Sequence, residues 1–566
     1  MIRAQRSVAL LIVLLFVCSA LAGAAVPAKP RLVVLISIDQ FRADYQTRFA
    51  DLFLPPATQG GPGGFRYLME RGAYHTDAHH DHFPLYTGPG HSIHFTGSTP
   101  YKSGIVGNDW FDREDLKRSR YCVEDPNSPL VPPSSKAGVS PVTLRVTTVG
   151  DELKMATGNQ AKVWGLAFKD RAAVLMAGHL ADGVLWFDDQ TGAWISSRYY
   201  RKDGTLPQWV TDWNAQKKID AFFGKHWTLS VKPAALKRLW TPANKYAGNP
   251  SGLGTSFGSG GHPIDGGLKA PGPAFYKAFT TTPFGNEYVL ESARELIRRE
   301  GLGQDTIPDV LAINLSSNDY IGHAYGPDSA EVLDATVQTD KSLSRFFQFL
   351  AKTIPGGLAN VTLVVTADHG VAPIAAEAKD AGMPAGNYSE DPMVKTIETA
   401  LVAELGTGPW TKALVESNYY LDLDALKAKG IPASRAEEIA AAAFRAQPGI
   451  YTAYTRTQIL EGRMLDNEVA QRVSRSFHPK ISGDVVIVPE PYWMPGYSSP
   501  PTGTTHGSPY AYDTSVPLLL AGFGIKPGRY TQRVSTLDTA PTLADILGIL
   551  QPSGCEGKVL THARKK

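Results

Sequence analysis

The sequence predicts an α/β fold, doubly wound, with a mostly parallel central sheet, helices on both faces and inserted cap regions. Three observations carry this. Leu32–Ile38, Asp309–Leu315 and Val361–Ala367 are nearly continuous apolar runs without alternation, the mark of strands buried on both faces. Helical patterns fall between such runs, and alternating strands and helices favour a parallel sheet. Each run also ends in polar, chemistry-bearing residues: Asp39, Ser316-Ser317-Asn318-Asp319 and Asp368-His369-Gly370. In such sheets ligands sit at the carboxyl ends of strands.

The elements follow in order. Val163–Phe168 and Val516–Ala521 read as further buried strands. Glu287–Glu300 places Val289, Leu290, Ala293, Leu296 and Ile297 at helical spacing, and Ser329–Ala351 opens with the start signal Pro327-Asp328-Ser329. Thr539–Leu547 reads as a short terminal helix. Two stretches fit the alternation poorly and read as insertions able to cap a site. One is 187–276, rich in Trp, Tyr, Gly and Pro. The other is 391–491, an α+β unit with helices near Met393–Glu404 and Ser434–Ala446 and strands near Tyr419 and Ile450. Ser434 and Glu437 have capping-box spacing.

Composition excludes some classes. Fifty-six Lys and Arg against 54 Asp and Glu give a net charge of +2, too little to neutralise many phosphates, so no nucleic-acid-binding surface is expected. A 43% hydrophobic content excludes intrinsic disorder. The N-terminus has the form of a secretory signal over residues 1–22: Arg3 and Arg6, an apolar run from Val8 to Leu21, then Ala20-Leu21-Ala22 as a cleavage site. That run is shorter than a membrane span of about 20 residues, and no later segment qualifies, so no stable membrane anchor is expected. Val17 before Cys18 argues against lipidation. Cys122 and Cys555 would remain after cleavage, free to pair in an oxidising compartment if they meet.

The candidate site residues are Asp39, Asp319, His323, Asp368, His369 and His506. Asp319 and His323, four apart, can share one helical face. Carboxylate and imidazole donors suit zinc, and six of them suit two ions, an arrangement that clamps both oxygens of an in-line displacement. In F-P-L-Y-T-G-P-G-H, Thr87 precedes a Gly-rich turn that opens a helix. Alone it reads as an N-cap; beside metals it reads as a nucleophile. The neighbouring histidines His75, His79, His80, His82, His91 and His94 lack ligand spacing and read mostly as surface or packing residues.

The motifs S-I-D-Q-F-R-A-D-Y at Ser37, T-G-P-G-H at Thr87, T-G-S-T-P-Y-K-S-G-I-V-G-N-D-W at Thr96, S-S-N-D-Y-I-G-H-A-Y-G-P at Ser316, T-A-D-H-G at Thr366 and T-H-G-S-P at Thr505 occur in order along nearly the whole chain. Together they resemble the alkaline phosphatase superfamily, in its type I phosphodiesterase/nucleotide pyrophosphatase branch. F-K-D-R-A-A-V-L-M-A-G-H at Phe168 is similar to the phosphate-irrepressible alkaline phosphatases of the PafA/PhoK type. The resemblance implies an exported phosphate monoesterase, periplasmic or secreted, acting on small-molecule substrates through a covalent phosphothreonine, with no obligate protein partner. It implies Thr87 as nucleophile, Asn108 as phosphoryl donor, and Lys169 and Arg171 as the cationic clamp. It implies two Zn2+ per chain, one on Asp319, His323 and His506, the other on Asp39, Thr87, Asp368 and His369. The residues agree with a monoesterase: on an extended segment Lys169 and Arg171 would point to one side and meet the extra charge of a dianion. A phosphodiesterase or nucleotide pyrophosphatase is the alternative. A sulfatase lacks its cysteine here, and a non-catalytic phosphate binder would not keep every metal donor.

Overall fold

The computed structural model describes residues 29–113, 117–241, 245–258, 260–265, 267–496 and 501–565. The expected signal segment 1–22 lies outside them. The central sheet has ten strands: β1 (Leu32–Ile38), β2 (Ala73–His75), β3 (Leu130–Val131), β4 (Val163–Ala167), β5 (Gly183–Asp188), β6 (Ala193–Ser197), β7 (Asp309–Leu315), β8 (Val361–Thr366), β9 (Leu518–Gly522) and β10 (Gly528–Tyr530). Their spatial order is β10-β2-β9-β8-β1-β7-β4-β5-β6-β3. The five inner strands β8-β1-β7-β4-β5 are parallel. On one side β9 joins β8 antiparallel, and on the other β6 joins β5 antiparallel. The apolar run before Ala521 is therefore buried as expected but runs opposite to its neighbour.

The helices that matter for the site are α1 (Thr87–Thr96), α2 (Val149–Ala156), α3 (Asp170–Ala177), α4 (Pro283–Glu300), α5 (Ser317–Tyr325), α6 (Ala330–Thr353) and α7 (Thr539–Leu547). They cover both faces of the sheet. Val34 and Ile36 of β1 join one core with Leu290, Leu296, Leu343 and Phe347 of α4 and α6. Val33 and Leu35 join the opposite core with Phe95, Leu153, Met176 and Leu543 of α1, α2, α3 and α7. Strand side chains alternate between faces, so a strand must be apolar throughout to feed two cores, which explains the unbroken runs. Burying one such Val, Leu or Ile contributes roughly 1.5–3 kcal/mol. Local signals set the helix starts. Ser329 accepts a hydrogen bond from the Val332 amide, and Thr148 and Asp151 form a reciprocal capping box.

The two irregular stretches differ. The first gives residues to the main sheet: the expected boundary at Phe187 falls inside β5, and β6 follows. Beyond that, Trp227, Ile264 and Phe275 pack into the core shared with α4 and α6. The second holds a four-stranded sheet of Thr411–Val415, Asn418–Leu421, Val485–Pro489 and Ile450–Thr455, in that order. Helices Glu390–Leu405 and Ala433–Arg445 cover it around Trp410, Tyr419 and Phe444. Ser434 does not cap the second helix, which begins at Ala433 after Pro432. Glu437 instead accepts a hydrogen bond from the Thr457 amide at 2.9 Å. Among the described residues no helix is long and apolar enough to cross a membrane.

Candidate active site

The adjacent strands β8, β1 and β7 deliver their carboxylates to one place. Asp39 follows β1, Asp368 follows β8, and Asp319 stands on α5 just beyond β7; all three are buried. The Nε2 atom of His323, one turn on from Asp319, lies 3.1 Å from Asp319 Oδ1, and His506 Nε2 lies 3.8 Å from it. His369 Nε2 lies 3.2 Å from Asp368 Oδ2 and 3.6 Å from Asp39 Oδ1. The donor atoms of Asp319, His323 and His506 all fall within 4.8 Å of one another, as do those of Asp39, Asp319 and His369, and those of Asp39, His91 and Asp368.

Hydrogen bonding at the far ring nitrogen sets the tautomer of each outer histidine. Nδ1 of His323, His369 and His506 donates to the carbonyls of Thr504 (2.8 Å), Gly370 (2.9 Å) and Leu85 (2.7 Å). In the neutral ring each Nε2 lone pair then faces the carboxylates, as in a metal-ligating histidine. Asp39 Oδ1, Asp368 Oδ2 and His369 Nε2 are buried, converge, and make no hydrogen bond. Buried polar atoms without partners are costly, and a cation among them removes the cost. The donor set fits a metal centre.

Electrostatics shows the same strain. Burial, reinforced by Asp368, pushes Asp39 up to about 6 against the pull of Lys169. Burial also penalises charge on Asp319 and Asp368. The neighbours His323 and Lys169 for the first, and His369 and His91 for the second, outweigh it and hold both well below the usual carboxylate range. Burial disfavours a charged His369, yet Asp368 beside it wins and raises it to about 9. Burial and the nearby His369 hold His506 well down.

Thr87 is the first residue of α1, after Tyr86, and is buried. It is thus inside the helix and not its N-cap. Its Oγ1 lies 3.5 Å from Lys169 Nζ and 3.4 Å from Arg171 Nη2. The expectation that Lys169 and Arg171 share an extended segment is corrected: Lys169 is the N-cap of α3 and Arg171 lies in its first turn. They converge because the chain turns from strand to helix between them. Lys169 Nζ pairs with Asp319 at 2.6 Å and Asp39 at 2.9 Å. Burial works against its charge, but these two carboxylates raise it further. Arg171 Nη1 donates to Tyr121 Oη at 3.1 Å, and Tyr121 donates to Asp170 at 2.5 Å. Asn108 Oδ1 accepts the Gly88 amide at 2.8 Å, one residue past Thr87, which leaves Nδ2 as its donor group. A Cβ at Gly90 would lie 2.3 Å from the Asp368 carbonyl oxygen, so only glycine lets α1 approach this close.

The structure also recruits residues that sequence reasoning set aside or missed. His91, read with its neighbours as a surface or packing histidine, has Nδ1 at 3.1 Å from Asp368 Oδ2 and 2.9 Å from the Thr87 carbonyl. Its Nε2 accepts from Asn314 Nδ2 at 2.9 Å, so Nδ1 carries the hydrogen and donates it to the Thr87 carbonyl beside Asp368. Asn314, the polar interruption in β7, also reaches Asp39 Oδ2 at 3.4 Å. Gln40 adopts φ 60° and bridges two carboxylates, its amide to Asp368 at 3.1 Å and its Nε2 to Asp319 at 2.7 Å. His80, His82 and His94 are fully buried, as packing rather than surface residues. A polar residue inside an apolar run was the available signal for Asn314; Gln40 had only its place after Asp39.

A cavity of about 670 Å³ opens beside Lys169, Arg171, Tyr320 and His323, with Phe168 and Trp186 on its wall. Cys122 and Cys555 are both free. Cys122 Sγ lies beside Gly88 and Cys555 Sγ beside Gly97, at opposite ends of α1. Nine helical residues separate those ends by roughly 13 Å, beyond disulfide reach.

A doubly wound sheet with paired carboxylate-imidazole centres and a threonine at a helix N-terminus defines a phosphoester-hydrolase architecture. Residues 33–509 match the model of the type I phosphodiesterase / nucleotide pyrophosphatase family, and the chain belongs to that family. It is 35% identical over 539 residues to alkaline phosphatase PhoV of Synechococcus elongatus, covering 95% of this chain and 94% of that one. It is 34% identical over 550 residues to alkaline phosphatase PafA of Elizabethkingia meningoseptica, covering 95% of each. The crystal structure of wild-type PafA superposes with a TM-score of 0.84 at 32% identity, over 96% of this chain and 100% of that one. A solved PafA variant substituted at a threonine, an asparagine, a lysine and an arginine gives a TM-score of 0.83 at 32% identity, with the same coverage.

Proposed function

We propose that this chain is an exported alkaline phosphatase that hydrolyses small phosphate monoesters through a covalent phosphothreonine on Thr87. The observation that carries the reading is the meeting of Thr87 Oγ1 with Lys169 and Arg171, at 3.5 and 3.4 Å, beside the carboxylate-imidazole centre. Charge decides what the centre needs. With the histidines neutral, as ligation requires, three carboxylates against Lys169 and Arg171 leave an excess of negative charge, which would repel a phosphate dianion. Two divalent cations reverse the sign. Asp319, His323 and His506 would hold one Zn2+, and Asp39, Asp368 and His369 with Thr87 the other. When bound, the ions supply Lewis acidity to the threonine hydroxyl and the leaving oxygen, and activate water.

The chain's own residues do the rest. The N-terminus of α1 turns a positive dipole end toward the phosphoryl group. Asn108 Nδ2, Lys169 and Arg171 hold its oxygens and orient phosphorus toward Thr87 Oγ1. Attack forms the Thr87 O–P bond and expels the alcohol; water then breaks that bond and releases phosphate. Catalysis is positioning and charge stabilisation. The four substituted residue types of the PafA variant support the quartet of Thr87, Asn108, Lys169 and Arg171.

The test is chemical. After an acid quench of turnover with a 32P-labelled monoester, label is expected on the peptide containing Thr87, and Thr87→Ala is expected to abolish turnover with metal content unchanged. Label elsewhere, or a fully active variant, overturns the assignment. The 1–22 segment is read as the export signal; a secreted protein beginning at residue 23 supports that. Phosphodiester hydrolysis stands as a second reading, favoured by the apolar wall that Phe168 and Trp186 give the cavity.

A further inference from the structure

The 391–491 stretch reaches the loop beside the active site through Glu416. Its first two strands, Thr411–Val415 and Asn418–Leu421, are joined by a tight turn containing Glu416, at φ 53°. The Glu416 side chain extends to the loop before Asn108. Oε1 accepts the Asn108 amide at 3.0 Å and the Asp109 amide at 3.4 Å. Oε2 is buried without a hydrogen-bond partner and lies 2.2 Å from where a Cβ would stand on Gly107. Glycine at 107 is therefore what lets the carboxyl close against this loop. Burial, then Asp109 nearby, pushes Glu416 well above the usual carboxyl range, so a neutral carboxyl suits the position.

The chain of contacts continues inward. Asn108 Oδ1 takes the Gly88 amide at 2.8 Å, one residue past Thr87. A carboxyl that fixes the Asn108 backbone from outside thus fixes where Nδ2 points inside. We infer that Glu416 is a positioning residue for phosphoryl transfer: it acts through Asn108 and ties the four-stranded accessory sheet to the reaction centre. This rests on the reading of Asn108 as a phosphoryl donor. Its sequence position, about 300 residues beyond its partner, explains why no local motif reveals it.

A double-mutant cycle tests it. Glu416→Ala is expected to lower kcat/KM for an aryl phosphate monoester about ten- to a hundredfold, since misplacement of order 1 Å costs up to about that much. In an Asn108→Ala background the same substitution should cost less than about threefold, because residues acting as one unit are non-additive. Glu416→Gln keeps the accepting oxygen and should stay within about threefold of the parent. Glu416→Asp draws it back and should resemble Glu416→Ala; it serves in the cycle if the alanine variant does not fold. An equal loss in both backgrounds, or failure of Glu416→Gln to retain activity, overturns the inference alone. Unchanged kinetics of Asn108→Ala overturns the role of Asn108 and this inference together.

Discussion

Arg171→Ala separates a phosphoryl clamp from a structural cation. Within the protein, Arg171 holds two light contacts, Tyr121 Oη at 3.1 Å and Thr87 Oγ1 at 3.4 Å. Tyr121 keeps its bond to Asp170 after the change, so the folding cost should be about 1 kcal/mol. The transition-state cost should be larger. Loss of one pre-organised donor to developing charge costs about 2.7–4 kcal/mol, or ~10²–10³ in rate. A monoester presents a charged oxygen where a diester presents an esterified one, and charge-assisted bonds are roughly twice as strong as neutral ones. The diester should therefore lose less than about tenfold, and the monoester preference should fall by at least about tenfold. Arg171→Lys keeps the charge without the planar fork and should fall between. The assay is kcat/KM for an aryl monoester and the matching bis-aryl diester, with melting temperature as control. Equal loss on both substrates would refute the clamp.

Two further measurements probe the site and the fold. His369, raised to about 9 by Asp368, must give up its proton to ligate, so metal uptake below that pH should release protons and strengthen as pH rises. Calorimetry of zinc binding in buffers of different ionisation enthalpy reads this, and buffer-independent heats would contradict it. Burial lowers His75 and His80 from 6.5 to about 4. Between those values each of these two groups binds fewer protons in the folded chain than in the unfolded one, so its own contribution to stability should rise with pH across that window and be lost on acidification, by roughly 3 kcal/mol per group. A melting-temperature difference between the parent and a His75→Phe variant that stays constant from pH 7 to 4 would refute this.

The central strands were legible because burial on two faces leaves an apolar imprint on consecutive residues. The carboxylate cluster was legible because Asp39, Asp319 and Asp368 stand at or just beyond those strand ends. Geometry set by chain reversal was not. Lys169 and Arg171 read as strand neighbours, yet they converge as the cap and first turn of a helix. Ser434 and Glu437 had the right spacing for a cap, but Pro432 already opens the helix. His91 lacks a ligand spacing because it props Asp368 from a different element. Glu416 reaches Asn108 only through tertiary placement, which periodicity does not encode.

The three adjacent strands that deliver Asp39, Asp319 and Asp368 have a consequence for how the enzyme ages under mutation. Neighbouring strands sit about 4.8 Å apart whatever side chains they carry, because backbone hydrogen bonds set the spacing. The sheet is thus a ruler that fixes how far apart Asp39, Asp319 and Asp368 stand. Core substitutions below it should thin the population of folded molecules long before they alter what each survivor can do. Substrate range, by contrast, is written in the loops above the ruler, where it can drift without recalibrating the instrument.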